Sequence, residues 1–238
     1  MLRRALQYTG GRGPLLVVHA EDPSLTGAGV IGAGLTATRL GLASVPASAE
    51  TSIIARDLEI LEETGGRLHF AHLTCARSVE LIAQARQRGL HVSCDVTPHH
   101  LTHDARLAEG YALAARVWPP LRREEDAAAL RRGLADGAID AIACDHVRVD
   151  VLDREHPFEQ CAPGCEAFEQ ALPAVAASGV SAARLVEVLA CAPARLLGLR
   201  HGLAPGVPAA ITVIEPSSWS VRGTVIGRHH TFPRESAT

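Results

Sequence analysis

The chain has 238 residues, a formal charge of −3 from 23 basic and 26 acidic side chains, and 47% hydrophobic residues. That length and apolar content fit one compact domain, or one with a small addition, and are enough for a real core. Charges of both signs are mixed along the chain rather than blocked, so no nucleic-acid or membrane footprint stands out and neither partner is expected.

Residues Leu2 to Tyr8 read as the end of a helix, and Leu15 to Val18 as an apolar strand running into His19-Ala20-Glu21. Asp22 to Pro46 is rich in Gly and Pro and reads as a loop. Ala49 to Thr64 carries Ile53, Ile54, Leu58 and Leu61 at helical spacing and is stopped by Gly65-Gly66. Leu68 to Leu73 is a strand that includes His72, and Ser78 to Arg88 a helix closed by Gly89. Leu90 to Val96 is a further strand, leading to Thr97-Pro98-His99-His100. A long loop with Val117-Trp118-Pro119-Pro120-Leu121-Arg122 precedes a helix from Glu124 to Leu134. Then comes Asp140-Ala-Ile-Ala-Cys-Asp145-His146, a short apolar strand ending on a carboxylate and an imidazole. Glu166 to Ala177 and Ala182 to Cys191 read as helices, and Ala210 to Ile214 as a strand in a stretch rich in Gly and Pro.

Strands and helices alternating at this spacing predict βαβ units and a parallel sheet. The expected fold is α/β: a partial TIM-type (β/α) barrel over residues 1–204, followed by a small β-rich segment over 205–238. About half the strands that close such a barrel are visible. Open edges of that kind invite pairing, so a homo-oligomer or docking onto another chain is expected.

Groups that are costly to bury collect where catalytic residues leave a parallel barrel, at the carboxyl ends of its strands. Three such ends offer His19, His72 and Asp145 to one site. A lone strand-end histidine is more often structural, and that reading is kept for His69, His91, His103 and His201. Adjacent residues on an extended segment point apart, so His99 and His100 are assigned a loop or structural role. Glu21 and Asp22 are expected to orient His19 or cap the next loop.

Gly27-Ala-Gly-Val-Ile-Gly32 matches a dinucleotide fingerprint, but no long helix can follow it through Gly34, Gly41 and Pro46, so a nicotinamide enzyme is rejected. Cys144 lies in an apolar strand, where burial raises a thiol's pKa and makes it inert. The six cysteines form no Cys-x-x-Cys pair, which is the usage of a reducing compartment. No secretory leader is read at Met1, and no run reaches the ~18 apolar residues of a membrane span. A cytoplasmic location is expected.

Several segments carry a family resemblance. His19-Ala-Glu-Asp22, Gly41-Leu-Ala-Ser-Val-Pro-Ala-Ser-Ala-Glu50, His69-Phe-Ala-His-Leu-Thr74, Asp95-Val-Thr-Pro-His-His-Leu101, Pro119-Pro-Leu-Arg122, Gly137-Ala-Ile-Asp-Ala-Ile-Ala-Cys-Asp-His146 and Pro193-Ala-Arg-Leu-Leu-Gly198 resemble, in order, motifs of the class I dihydroorotases of the amidohydrolase superfamily. The resemblance implies a zinc enzyme that interconverts N-carbamoyl-L-aspartate and L-dihydroorotate in pyrimidine synthesis. It assigns His19 and His72 as metal ligands and Asp145 as ligand and general base. His146 contacts metal or substrate, or fixes Asp145, and Arg122 is a candidate substrate contact. The chemistry suits these types: a Lewis acid polarises a ring amide, and a carboxylate beside the attacking water takes its proton and returns it to the leaving nitrogen.

Departures accompany the match. The family's His-x-His-x-Arg motif and its bridging ligand are not among these residues, so the resemblance covers roughly a C-terminal half and zinc is expected to bind weakly. Trp118 stands where the family has Asn, and Arg148-Val149 where active members have Pro-His. The hydrolase reading thus needs the missing half from a complementary chain or from further sequence, and a second reading is a non-catalytic homologue acting as a structural partner of aspartate carbamoyltransferase.

Overall fold

The computed structural model describes residues 1–11 and 13–231. Helix α1 (Leu2–Thr9) leads to strand β1 (Leu16–His19). The segment expected to be a loop holds short elements instead: α2 (Pro23–Thr26), β2 (Ile31–Gly32), α3 (Leu35–Leu40) and β3 (Ser44–Val45). The chain continues through α4 (Ser48–Thr64), β4 (Leu68–Ala71), α5 (Ala76–Gln87), β5 (Val92–Val96) and α6 (Pro98–Thr102). After the loop come α7 (Glu124–Asp136), β6 (Ala141–Ile142), α8 (Ala171–Ala176), α9 (Ala182–Val186) and α10 (Ala192–Leu196).

Strands β1, β4, β5 and β6 form one parallel sheet in that order, joined by helical crossovers. This is the expected α/β architecture, a partial TIM-type barrel. Strands β4 and β5 are buried almost throughout, as central strands of a helix-covered parallel sheet must be. Strand β1 alternates half-buried and exposed residues, with Val17 58% exposed, because it stands at an open edge. Helix α4 turns Ile53, Ile54, Leu58 and Leu61 onto the sheet, where they join Phe70, Ile82, Cys94 and Leu134 in the main core. Gly65 ends it with φ 67°, a conformation glycine adopts without steric cost.

A second core, including Val30, Ile31, Leu42, Val117 and Leu121, sits under β2 and β3. It explains the glycine-rich stretch. Gly32 donates to Leu121 O at 3.2 Å, and a Cβ there would overlap that oxygen. Gly29 and Gly32 serve close approach of neighbouring chain, while Gly27 and Gly41 take positive φ with open space around them.

The helix expected over Glu166–Ala177 is shorter, beginning at Ala171. The one expected over Ala182–Cys191 passes through a wide π turn at Glu187–Cys191 into α10. The C-terminal β-run becomes an antiparallel sheet of β7 (Ala210–Ile214), β8 (Val221–Ile226) and β9 (His229–Thr231). Trp219 packs from it onto the main core. The rest of the expected 205–238 segment, residues 232–238, lies outside the described residues. No helix among the described residues is long and apolar enough to cross a membrane.

Candidate active site

His19 is the last residue of β1, His72 follows the last residue of β4, and Asp145 lies just beyond β6. All three therefore leave the same edge of one parallel sheet, as a shared crossover direction requires. The rings of His19 and His72 stand 6.2 Å apart between centroids. His72 (φ 60°) and Asp145 (φ 48°) both adopt left-handed backbone conformations, which cost a non-glycine residue about 1–2 kcal/mol and concentrate at functional sites.

His72 is held by Asp95, the fourth residue of β5. Its backbone N–H donates to Asp95 Oδ1 at 2.7 Å, and its Nδ1 lies 3.1 Å from the same oxygen, off hydrogen-bond alignment. The other carboxylate oxygen, Oδ2, is hydrogen-bonded to His69 Nε2 at 2.9 Å, and His69 Nδ1 meets Ser93 Oγ at 2.7 Å. Burial alone would raise Asp95, but the two imidazoles outweigh it and hold its pKa down to about 2. Burial likewise pushes His72 down. The carboxylates of Asp95 and Asp145 overcome that and raise its pKa above 6.5.

The neighbours of His19 are Glu21 and Trp118. Glu21 Oε2 lies 3.2 Å from His19 Nε2 and accepts the Trp118 indole N–H at 2.9 Å. Asp22 caps α2, accepting from Ser24 N at 2.9 Å. Both residues do what was expected of them.

The candidate substrate contacts, His146 and Arg122, both make hydrogen bonds within the fold, and Arg122 lines a pocket with His19, Glu21 and Trp118. His146 is exposed, its Nδ1 accepts the backbone N–H of Phe168 at 3.2 Å, and its ring meets Phe168 edge-on. Arg122 is buried. It donates from Nε to Thr74 Oγ1 at 3.0 Å and from Nη1 to the Val45 carbonyl. Thr74 in turn donates to the buried Glu50 carboxylate, which also accepts from Ser78 Oγ at 2.5 Å. This network ties β3, α4 and the β4–α5 turn together behind the site.

His99 and His100 are not on an extended segment. They sit side by side on α6, buried, with ring centroids 4.6 Å apart. His100 bonds Thr97 Oγ1 at 2.6 Å and the Pro119 carbonyl at 3.0 Å, a structural role. His99 lines a cleft of about 310 Å³ together with Trp118, Asp145, Val147, Pro163 and Cys165.

The residues that sequence reasoning gave no site role are Asp95, Ser93 and Glu50, and His99 was assigned a loop or structural one. A carboxylate within the otherwise apolar stretch Val92–Val96 was a usable signal, since an unpaired buried charge is too costly to keep. Nothing in the sequence distinguished His99 from His100.

The test for a metal is mixed. The His19 and His72 rings are neighbours, but among the described residues no group of three His, Cys, Asp or Glu side chains converges. A catalytic zinc takes three protein ligands, so the described donors fit part of a zinc site and not a whole one.

No protein-family model matches the chain. Curated relatives do. It is 43% identical over 229 residues to the dihydroorotase of Anaeromyxobacter sp. (strain K), covering 93% of this chain and 53% of that protein. It is 41% identical over 222 residues to the dihydroorotase of Pelotomaculum thermopropionicum, covering 91% and 52%. The chain thus spans about half the length of the curated relatives it matches. Among solved structures, the L-hydantoinase (dihydropyrimidinase) of Arthrobacter aurescens superposes with a TM-score of 0.80 at 26% identity, over 96% of this chain and 59% of that one. A D-hydantoinase at 20% identity and TM-score 0.77 shares the fold.

Proposed function

The chain matches the C-terminal half of the dihydroorotases, and from that premise we propose that it is the proton-handling half of a cyclic-amide hydrolase, acting between L-dihydroorotate and N-carbamoyl-L-aspartate. The observation that carries this reading is the juxtaposition of His19 and His72 at the strand edge from which Asp145 also emerges. Asp145 is the general base. Its carboxylate accepts the proton of the attacking water and returns it to the ring nitrogen as the amide bond breaks. Asp95 positions His72 by holding its backbone N–H. Zinc binds weakly to these donors alone, and a full set needs ligands from outside these residues. All six cysteines are free, which suits a cytoplasmic protein.

One observation favours the non-catalytic alternative, a structural partner of aspartate carbamoyltransferase. Trp118 walls the cleft beside Asp145, and no cationic side chain lines that cleft. The two readings separate in one assay: ring opening of L-dihydroorotate by the chain alone and after joining to the N-terminal half of the Anaeromyxobacter relative. The hydrolase reading expects little turnover alone, restoration in the joined protein carrying Trp118→Asn, and its loss with Asp145→Asn. Robust turnover by the unmodified chain, insensitive to chelator and to Asp145→Asn, sinks it.

A further inference from the structure

Among the described residues, both ring nitrogens of His99 are buried without a hydrogen-bond partner, although the residue is only 5% exposed. Burying an imidazole unpaired costs stability comparable to a lost hydrogen bond, and native proteins rarely accept that without a reason. Its neighbour shows that α6 is not loosely built, since His100 satisfies both of its nitrogens within the fold. The orphaned ring instead lines the cleft shared with Trp118 and Asp145.

The cleft's walls define what could satisfy His99. Trp118 is fixed by its hydrogen bond to Glu21 and supplies a flat apolar wall. Among the described residues no Arg lines the cleft, and the nearby Arg122 is spent on Thr74 and Val45. The part of a ligand that enters is therefore flat and carries no negative charge. At about 310 Å³ the space is at the low end of the roughly 300–1,000 Å³ of small-molecule sites, so it admits a single small ring. Burial, with the neighbouring His72 and His103, lowers the pKa of His99 to about 4. The ring is then neutral near pH 7 and presents one donor and one acceptor. The two nitrogens point apart, so a ligand meets one of them through a single N–H or C=O, and a cyclic ureide carries both kinds of group on its rim.

We propose that His99 is a ligand-binding residue of this cleft, hydrogen-bonding the ureide edge of a small ring seated against Trp118 beside Asp145. The choice of ligand class rests on the hydrolase reading above, but binding and hydrolysis are measured separately. Calorimetric titration of the chain with L-dihydroorotate and with hydantoin, alongside thermal melting, tests it on wild type, His99→Leu and His99→Gln. The expected result is binding weakened about tenfold or more in His99→Leu, the loss of one buried hydrogen bond, with a melting temperature no lower than wild type. His99→Gln, which keeps a donor and an acceptor, recovers part of the affinity.

Undiminished binding in His99→Leu overturns the assignment, as does a wild-type chain that binds neither ureide. If His99→Leu does not fold, the ring ¹⁵N resonances of His99 in the wild type decide: no shift at saturating ureide overturns the proposal. Ureide binding through His99 without ring opening supports it while defeating the hydrolase reading alone.

Discussion

On the β4–β5 side of the site, Asp95 bridges His69 and His72 and Ser93 completes the chain of contacts, all within buried strands in register. On the β6 side, the strand lasts two residues, and Asp145 emerges in a left-handed conformation, partly exposed, beside the exposed His146 and Val147. Ladder hydrogen bonds and a shared carboxylate make the first side rigid. The second depends on irregular chain, anchored by contacts such as Val147 N to the Cys165 carbonyl at 3.0 Å. Orientation is set by pairing on the first side, whereas Asp145, the proposed base, sits on irregular chain beyond a two-residue strand.

The sharpest way to break this contrast is to neutralise each carboxylate in turn. Asp95→Asn leaves two imidazoles in buried or half-buried surroundings without their anion. Losing one partner of a buried charged contact costs roughly 3 kcal/mol, and denaturant unfolding should show it. Asp145→Asn, at a partly exposed position, should change stability by less than about 0.5 kcal/mol while abolishing ring opening in the joined protein. Equal losses of stability in the two variants would erase the distinction.

Acid titration sharpens it next. His99 is held down to about 4 and His100 well below 6.5. Unfolded, each protonates near 6.5, so their stabilising preference for the neutral form is complete above that pH and is lost as pH falls toward 4. His72, raised above 6.5, works the other way: its contribution is present below 6.5 and lost as pH rises through its folded value. Below pH 6.5 His72 is protonated in both states and adds no slope, so His99 and His100 make stability fall from pH 6.5 to 4, by up to about 1.4 kcal/mol per pH unit for each extra proton the unfolded chain binds. His99→Leu should flatten the slope. Asp95, at about 2 against 3.8 unfolded, adds a further loss as pH falls below 3.8, which Asp95→Asn should remove. A stability that rises between pH 6.5 and 4 would contradict these assignments.

The smallest expected effect concerns the His19 corner. Trp118→Phe keeps the aromatic wall and removes only the indole N–H to Glu21, costing about 1 kcal/mol, the usual net worth of an intramolecular hydrogen bond. His19, relieved of a competitor for Glu21 Oε2, should show a shifted ring resonance. No change in either quantity would mean that the Trp118–Glu21 contact does not hold the corner together.

By itself the sequence determined the alternating α/β layout, the helix read from Ala49 to Thr64, and the strand ends bearing His19, His72 and Asp145. Those follow from local periodicity and from the cost of burying charge, both of which are properties of short stretches of chain. It did not reveal β2 and β3, whose pairing joins two-residue strands too brief for any periodic signal. Nor could it say that Asp95 would serve His72, that Arg122 would turn inward to Thr74, or that His99 and His100 would part company. Those outcomes join residues some 20 to 50 positions apart or depend on which face of α6 meets the cleft. Only the register of parallel strands and the packing around them decides which buried polar group finds a partner.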